Sequence, residues 1–372
     1  MSIYDQAIKV SKEKPDVRGR SLSRDEALEE IRYKANIPAF WVPGFEGMKV
    51  AATIAKKPER RGNRENRNQD NIIVDPKTGL VGVTDGLGEK EGKTEGADAS
   101  AILADDFPMS YEDALTATSV LDDKELVEQM TALQKQKYGH DFPGLTEELE
   151  KRIQGIMKVD PEMARKSFSL MNAAININAK VRETGGKATL CTGLVHTAPD
   201  GSKWHISINV GDSRAFKYKQ ATGEFVQSTI EDSLLNVLLT RGMITPSQLE
   251  DLKQNPTATF KIGKKEVTYS ELKRSMVACL GGDDQLAIPS LTIRRVKKGD
   301  KILLATDGLE KKFRAGDGEE MDLQAMSEAF PQSQSSGVKI NFPLTESLDM
   351  LSQHDKPGAE TDDIALVAAE IE

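Results

Sequence analysis

Cysteine is nearly absent: Cys191 and Cys279 are the two thiols in 372 residues. That scarcity excludes a disulfide framework and a Cys-rich zinc site, and a reducing compartment is the simplest setting. No apolar run approaches the roughly 18 residues that a membrane span requires. "MSIYDQAIKVSKEK" at the amino terminus lacks the apolar core of a signal peptide. Basic charge is also in deficit, with 50 Lys and Arg against 59 Asp and Glu and a formal net charge of −9. Nucleic-acid binding normally needs a basic face, so this balance argues against it. The absences together read as a cytoplasmic protein with no nucleic-acid partner and no membrane partner. Local basic clusters such as "KKPERRGNR" from Lys56 stay open as anion sites.

What is present suits a soluble globular chain, with 38% hydrophobic and 29% charged residues. The length allows one large domain with insertions or two small ones. Ser23 is a plausible N-cap of a short helix in the charged opening segment. "IPAFWVPGFEG", with Trp41, suits a lid or edge. "MKVAATIA" from Met48 alternates as a strand, and "NIIVDPKTGLVGVTDG" reads as a hairpin turning over Pro76 to Gly79. "ADASAILADDF" begins a helix, and about 108–159 is polar and helical. Asp160 before Pro161 makes an N-cap and first-turn pair for the next helix, whose Ala164, Phe168, Met171 and Ile175 share a core-facing stripe. Strands return around the "PDGS" turn at Pro199. Residues 231–286 form a mostly helical excursion, with Thr245 as an N-cap. "LTIRRVKKGDKILLATDGL" follows as a strand pair, and "DDIALVAAEIE" as the last strand. This order is α+β, with helices packed on antiparallel sheets rather than regular βαβ alternation.

The letters TDGL occur twice, at Thr84 to Leu87 and at Thr306 to Leu309, each after a short apolar run. Any single Asp-Gly pair is explained by turn chemistry. The pattern is broader, however. Asp70 precedes "NIIV", Asp85 follows "LVGVT", Asp212 follows "ISINVG", Asp307 follows "ILLAT", and Asp362 precedes "IALVAAEI". Carboxylates gathered at strand ends would repel unless a cation joined them. With no His or Cys in these runs, oxygen-only ligation selects a hard ion such as Mg²⁺ or Mn²⁺. Gly86 and Gly308 remove side-chain bulk beside the ion. Ligands spread over distant strands suit a two-metal site with ions about 3.5–4 Å apart.

In this order the motifs resemble those of the metal-dependent protein phosphatases of the PPM family, the protein phosphatase 2C type. The resemblance rests on "NQD" at Asn68, "VTDGLG" at Val83, "NVGDSRAF" at Asn209, "KKGDKILLATDGL" at Lys297 and "TDDIALV" at Thr361. It implies a central antiparallel β-sandwich flanked by helices, spanning 48–372. The amino-terminal extension 1–47 would pack on or near it, with a helical insertion at about 106–160 and a flap-like subdomain at about 231–286. It further implies hydrolysis of phosphoserine or phosphothreonine in a phosphoprotein by metal-activated water, without a phosphoenzyme. Carried over by motif, Asp85 would bridge two Mn²⁺ or Mg²⁺ ions. Asp307 and Asp362 would hold one ion; Asp70 and the Gly86 carbonyl would hold the other. Asp212, with Asp307, would hold a weaker third ion.

The chain departs from the family pattern in several places. Glu89 stands where a Gly is usual. Glu65 occupies the position of a phosphate-gripping Arg, which leaves that role to Arg64, with Arg67 as the alternative. Leu87 replaces the His that some members use as a general acid. His196 and His205 read as structural or surface residues without a motif role. The competing reading is a pseudophosphatase that binds without turnover. Retention of all five Asp favours the enzyme, and a small phosphate ester is a more remote substrate.

Overall fold

A computed structural model of the chain describes residues 37–55, 68–87, 95–138, 145–255, 258–282, 287–314, 321–330, 344–353 and 362–372. The Ser23 cap, Arg64, Glu65, Arg67, Glu89 and Thr361 lie outside them.

The first sheet is built from β1 (Ile37–Val42), β2 (Met48–Ala55), β8 (Arg214–Lys219), β9 (Glu224–Gln227), β13 (Lys301–Ala305) and β14 (Ile364–Ile371). Their spatial order is β1-β2-β14-β13-β8-β9. The second sheet contains β3 (Asp70–Asp75), β4 (Leu80–Leu87), β6 (Leu190–Thr197), β7 (Lys203–Val210) and β12 (Ser290–Val296). It runs β12-β7-β6-β4-β3, with the two-residue β5 (Lys187–Ala188) paired to β4. Every pairing is antiparallel.

Alternation decides which faces meet. Val50, Ala52, Ile302, Leu304 and Val367 of the first sheet pack against Ile72, Val81, Val83 and Cys191 of the second, forming the interior of a sandwich. The opposite residues of each strand are apolar too, so each outer face needs a helical cover. On the second sheet that cover is α1 (Glu95–Ser119) and α4 (Pro161–Glu183), packed on Ile73, Leu80, Leu190 and Ile208. On the first it is α8 (Asp307–Phe313), α9 (Leu323–Ala329) and α10 (Leu344–Gln353), packed on Leu303, Phe216 and Leu366. The result is the expected α+β architecture of four layers.

Local signals work where they were read. Asp160 accepts a hydrogen bond from the Glu162 amide at 2.9 Å and caps α4 ahead of Pro161. Its buried face is wider than the expected stripe, taking in Met163, Leu170, Ala173 and Ala174, while Ile175 is only half-buried. Pro108 lies inside α1. Leu103, Phe107, Tyr111 and Ala114 are all buried on one side of α1, and that burial outweighs the ~3 kcal/mol cost of an internal proline. The helices α2 (Asp123–Tyr138) and α3 (Leu145–Val159) then pack beside α4 around Leu126, Met130, Ile153 and Phe168.

Two expectations are corrected. β12 and β13 are both strands but do not pair with each other: β12 borders β7, and β13 lies between β14 and β8. Every residue of β13 is buried, so it needs a neighbour on each side and a cover on each face, which a hairpin partner alone would not supply. Residues 231–286 are also less helical than expected. Beside α5 (Leu234–Thr240), α6 (Pro246–Gln254) and α7 (Tyr269–Arg274) they contain a hairpin, β10 (Thr259–Ile262) to β11 (Lys265–Thr268). The subdomain has its own core of Leu235, Leu238, Ile244, Leu252, Val267, Tyr269 and Leu272. Thr245 caps α6 in a full capping box with Gln248.

Leu304, fully buried between the sheets, tests the sandwich core. Leu304→Ala is expected to lower unfolding stability by about 2–5 kcal/mol, whereas Met350→Ala, half-exposed on α10, changes it by less than ~0.5 kcal/mol. Urea denaturation of both variants checks this.

Candidate functional site

Antiparallel register brings the strand-end carboxylates to one end of the sandwich. Asp70, the first residue of β3, lies directly opposite Asp85 on β4. β13 ends where β14 and β8 begin, with Ala305 paired to Leu366 and to Arg214. Asp307, Asp362 and Asp212 leave the ladder within a few residues of those pairs. Two side chains tie the sheets together there. Thr306 donates to Asp70 Oδ2 at 2.6 Å, and the Gln69 amide donates to Asp363 Oδ2 at 3.2 Å.

The two TDGL segments therefore meet, but in different conformations. Thr84 to Leu87 belong to β4, with Thr84 Oγ1 donating to the Thr189 carbonyl at 2.7 Å. Thr306 precedes α8, and Asp307 is that helix's first residue. The glycines share one purpose. A Cβ on Gly86 would fall 2.1 Å from the Gly96 carbonyl oxygen, and one on Gly308 would fall 2.0 Å from that of Asp363. Neither position has room for a side chain.

The carboxyls retain a solvent-facing side at Asp85, Asp212, Asp307 and Asp362, while Asp70 is buried. Burial, reinforced by Asp363, pushes Asp70 well above the usual carboxylate range. Burial and then Asp70 do the same to Asp85, and the two carboxyls hydrogen-bond each other. Burial and Asp307 raise Asp212 to about 7. Asp307 is raised by burial despite the opposing ammonium of Lys311. Asp212 Oδ1 is buried with no hydrogen-bond partner among the described residues. These are the signs of a site that lacks positive charge.

Part of that charge comes from the chain itself. Lys311 lies 2.5 Å from Asp307 Oδ2 and pairs with Asp362 Oδ2. Among the described residues no three His, Cys, Asp or Glu side chains are arranged to hold a metal ion as they stand. Asp362 and Asp307 share the Lys311 ammonium.

A second charged group links this end to the segment that carries α5 and α7. Arg214, two residues past Asp212, pairs with Glu310 and, at 2.8 Å, with Glu231. Lys273 of α7 and Arg314 approach Glu310 at 3.4 and 2.7 Å. Burial pushes Glu310 up, but Arg214, Lys273 and Arg314 together hold it at about 2. Arg214 and Lys273 line a cavity of about 230 Å³ between the segment and the core.

Sequence reasoning missed Thr306, Asp363 and Lys311. The helical spacing of Lys311 from Asp307 was a usable signal; the cross-sheet partners had none. His196 and His205 are both buried. His196 bonds Asp160 at 2.6 Å, and burial pushes His205 down to about 4. Both are structural rather than surface residues.

No protein-family model matches the chain, and no curated protein does. Solved structures do. The serine/threonine phosphatase Stp1 from Staphylococcus aureus aligns at 17% identity and a TM-score of 0.50, covering 89% of this chain and 98% of its own. The Mycobacterium tuberculosis serine/threonine phosphatase PstP/Ppp aligns at 21% identity over 87% of this chain and 99% of its own, with a TM-score of 0.47. The PstP catalytic domain in complex with two manganese ions aligns at 20% identity over 87% and 98%, with a TM-score of 0.45. The chain shares the fold of Stp1, the helix-flanked antiparallel arrangement of this class of phosphatase.

The raised carboxyls carry a pH signature. Between the ordinary Asp range and about 7, the folded chain holds a proton on Asp212 that the unfolded chain has lost. Stability therefore falls as pH rises through that window. In EDTA, the melting temperature is expected to drop from pH 5 to pH 7.5, and to drop less steeply in Asp212→Asn. Calorimetry at matched ionic strength measures both slopes.

Proposed function

We infer that the chain is a metal-dependent serine/threonine protein phosphatase. The observation that carries this reading is the meeting of Asp70, Asp85, Asp212, Asp307 and Asp362 at one end of the sandwich, with Asp212 Oδ1 buried and unpartnered among the described residues. The donor set fits a hard divalent ion, being all oxygen and anionic when ionised. Asp85 would bridge two Mn²⁺ or Mg²⁺ ions. Asp307 and Asp362 would hold one, Asp70 and the Gly86 carbonyl the other, and Asp212 with Asp307 a weaker third. When bound, such ions supply Lewis-acid polarisation of a phosphoryl oxygen and a water of lowered pKa.

The chain's own residues do the rest. Thr306 donates to the Asp70 carboxyl, and Thr189 Oγ1 accepts the Asp85 backbone amide at 3.1 Å, so that carboxyl and the Asp85 backbone are positioned before any ligand arrives. Arg64, or alternatively Arg67, would grip the phosphate of the substrate through its planar fork. The subdomain at 231–286, joined to the site through Arg214 and Glu310, suits a flap that shapes access of a phosphoprotein. On this reading the phosphatase domain spans 48–372, with a helical insertion at about 106–160, and the extension 1–47 would pack on or near it. No described helix is long and apolar enough to cross a membrane.

Hydrolysis of a phosphothreonine peptide is expected to require Mn²⁺ or Mg²⁺ and to vanish in EDTA. Full activity in metal-free buffer would refute the reading. Asp85→Asn or Asp307→Asn should lower kcat by at least ~100-fold, because even the outer partners of metal ligands are worth 10- to 100-fold. Asp212→Asn should cost only about tenfold, in keeping with the weaker third ion, and steady-state kinetics at saturating Mn²⁺ ranks the three.

A further inference from the structure

Lys311 stands one helical turn beyond Asp307 on α8, and its side chain is only 22% exposed. Its ammonium contacts the same oxygen type on two carboxylates, Oδ2 of Asp307 at 2.5 Å and Oδ2 of Asp362. Those two carboxylates would share one ion under the reading above, on which this inference rests. A divalent ion such as Mg²⁺ needs its carboxylate oxygens at about 2.0–2.1 Å. Held by these two groups, it would lie within a few ångströms of the ammonium, and the two positive charges would repel strongly away from bulk water.

The surroundings make the choice exclusive. Asp362 Oδ1 already accepts the Asp363 amide at 3.0 Å, and the Gly308 backbone is packed against the Asp363 carbonyl. That leaves the Oδ2 side of Asp362, where Lys311 now sits, as the face turned toward Asp307. By contrast, no described lysine or arginine contacts Asp70 or Asp85, whose raised carboxyls answer only to burial, to hydrogen bonds and to other carboxylates.

We propose that Lys311 is a tethered cation that occupies the ion position between Asp307 and Asp362. It must swing aside before an ion is held there, so that position binds its ion more weakly than the one at Asp70 and Asp85. The ammonium neutralises the carboxylates in the ion-free protein and competes with the metal afterwards. Lys311 is thus a positioning residue that sets how readily the second ion loads.

Binding itself reads this out, independently of turnover. Mn²⁺ is titrated into the full chain, and free Mn²⁺ is followed by its electron paramagnetic resonance signal. The wild type is expected to show one tight class, at Asp70 and Asp85, and weaker sites. Repeating each titration in an Asp212→Asn background removes the third-ion position, so the weaker class left there is the one between Asp307 and Asp362. Lys311→Met should tighten the weaker class by about tenfold or more, the scale of one charge-assisted hydrogen bond removed from competition. Lys311→Arg, which keeps the charge, should leave it weak. Because Lys311→Met leaves two carboxylates facing each other without a cation, Lys311→Gln serves as a second neutral variant and should tighten the same class. Unchanged or weaker Mn²⁺ binding in the neutral variants, with two sites still filling, overturns the proposal and leaves the phosphatase reading standing. Absence of Mn²⁺ binding in wild type and variants alike overturns both.

Discussion

Five carboxylates cannot be gathered at the end of a folded sandwich without something to offset their repulsion, and the structure is organised around that constraint. Each Asp leaves a different strand or turn, so no local sequence brings them together. The antiparallel ladders do so, by placing the end of β13 beside the starts of β14 and β8, and the start of β3 beside the far half of β4. The sandwich core supplies the free energy that holds the like charges close. Raised carboxyls at Asp70, Asp85, Asp212 and Asp307 are the electrostatic cost of that arrangement. On the proposed reading a hard cation would recover it.

The chain handles excess charge in two ways. Beside α7, Arg214, Lys273 and Arg314 surround Glu310 and Glu231 in a closed group that keeps Glu310 ionised. Breaking such a buried group is destabilising because one member is left uncompensated. At the sandwich end, a single Lys311 serves Asp307 and Asp362, and the remaining carboxyls stay short of positive charge. The first group is closed, and the second, on the proposed reading, would accept an ion. Asp212 on the β7–β8 connection and Arg214, the first residue of β8, belong one to each.

Much of the layout was legible in the chain. Period-two alternation marked β2, apolar runs marked β3, β4 and β14, turn residues marked the hairpins over Pro76 and Pro199, and Asp160 and Thr245 announced two helix starts. These signals are local, since caps, turns and pleats are decided by residues a few positions apart. Pro108 is tolerated inside α1 because proline's cost is local while the burial of Phe107 and Tyr111 against α4 is not. The hairpin of β10 and β11 was hidden in a charged, polar stretch whose outward residues carry no apolar pattern; only Val267 on β11 is buried.

By itself the sequence determined the chemistry available: oxygen ligands, two glycines beside two aspartates, few thiols, and an acidic balance. Composition and short motifs are properties of the chain before it folds. Tertiary structure alone decided that β12 and β13 part company between two sheets, since a fully buried strand must find neighbours on both sides. It alone made one TDGL a strand and the other the start of a helix, because Thr84 meets Thr189 whereas Thr306 meets Asp70. It also turned Lys311 toward Asp307 and Asp362, a pairing that exists only once residues 51 positions apart are folded together.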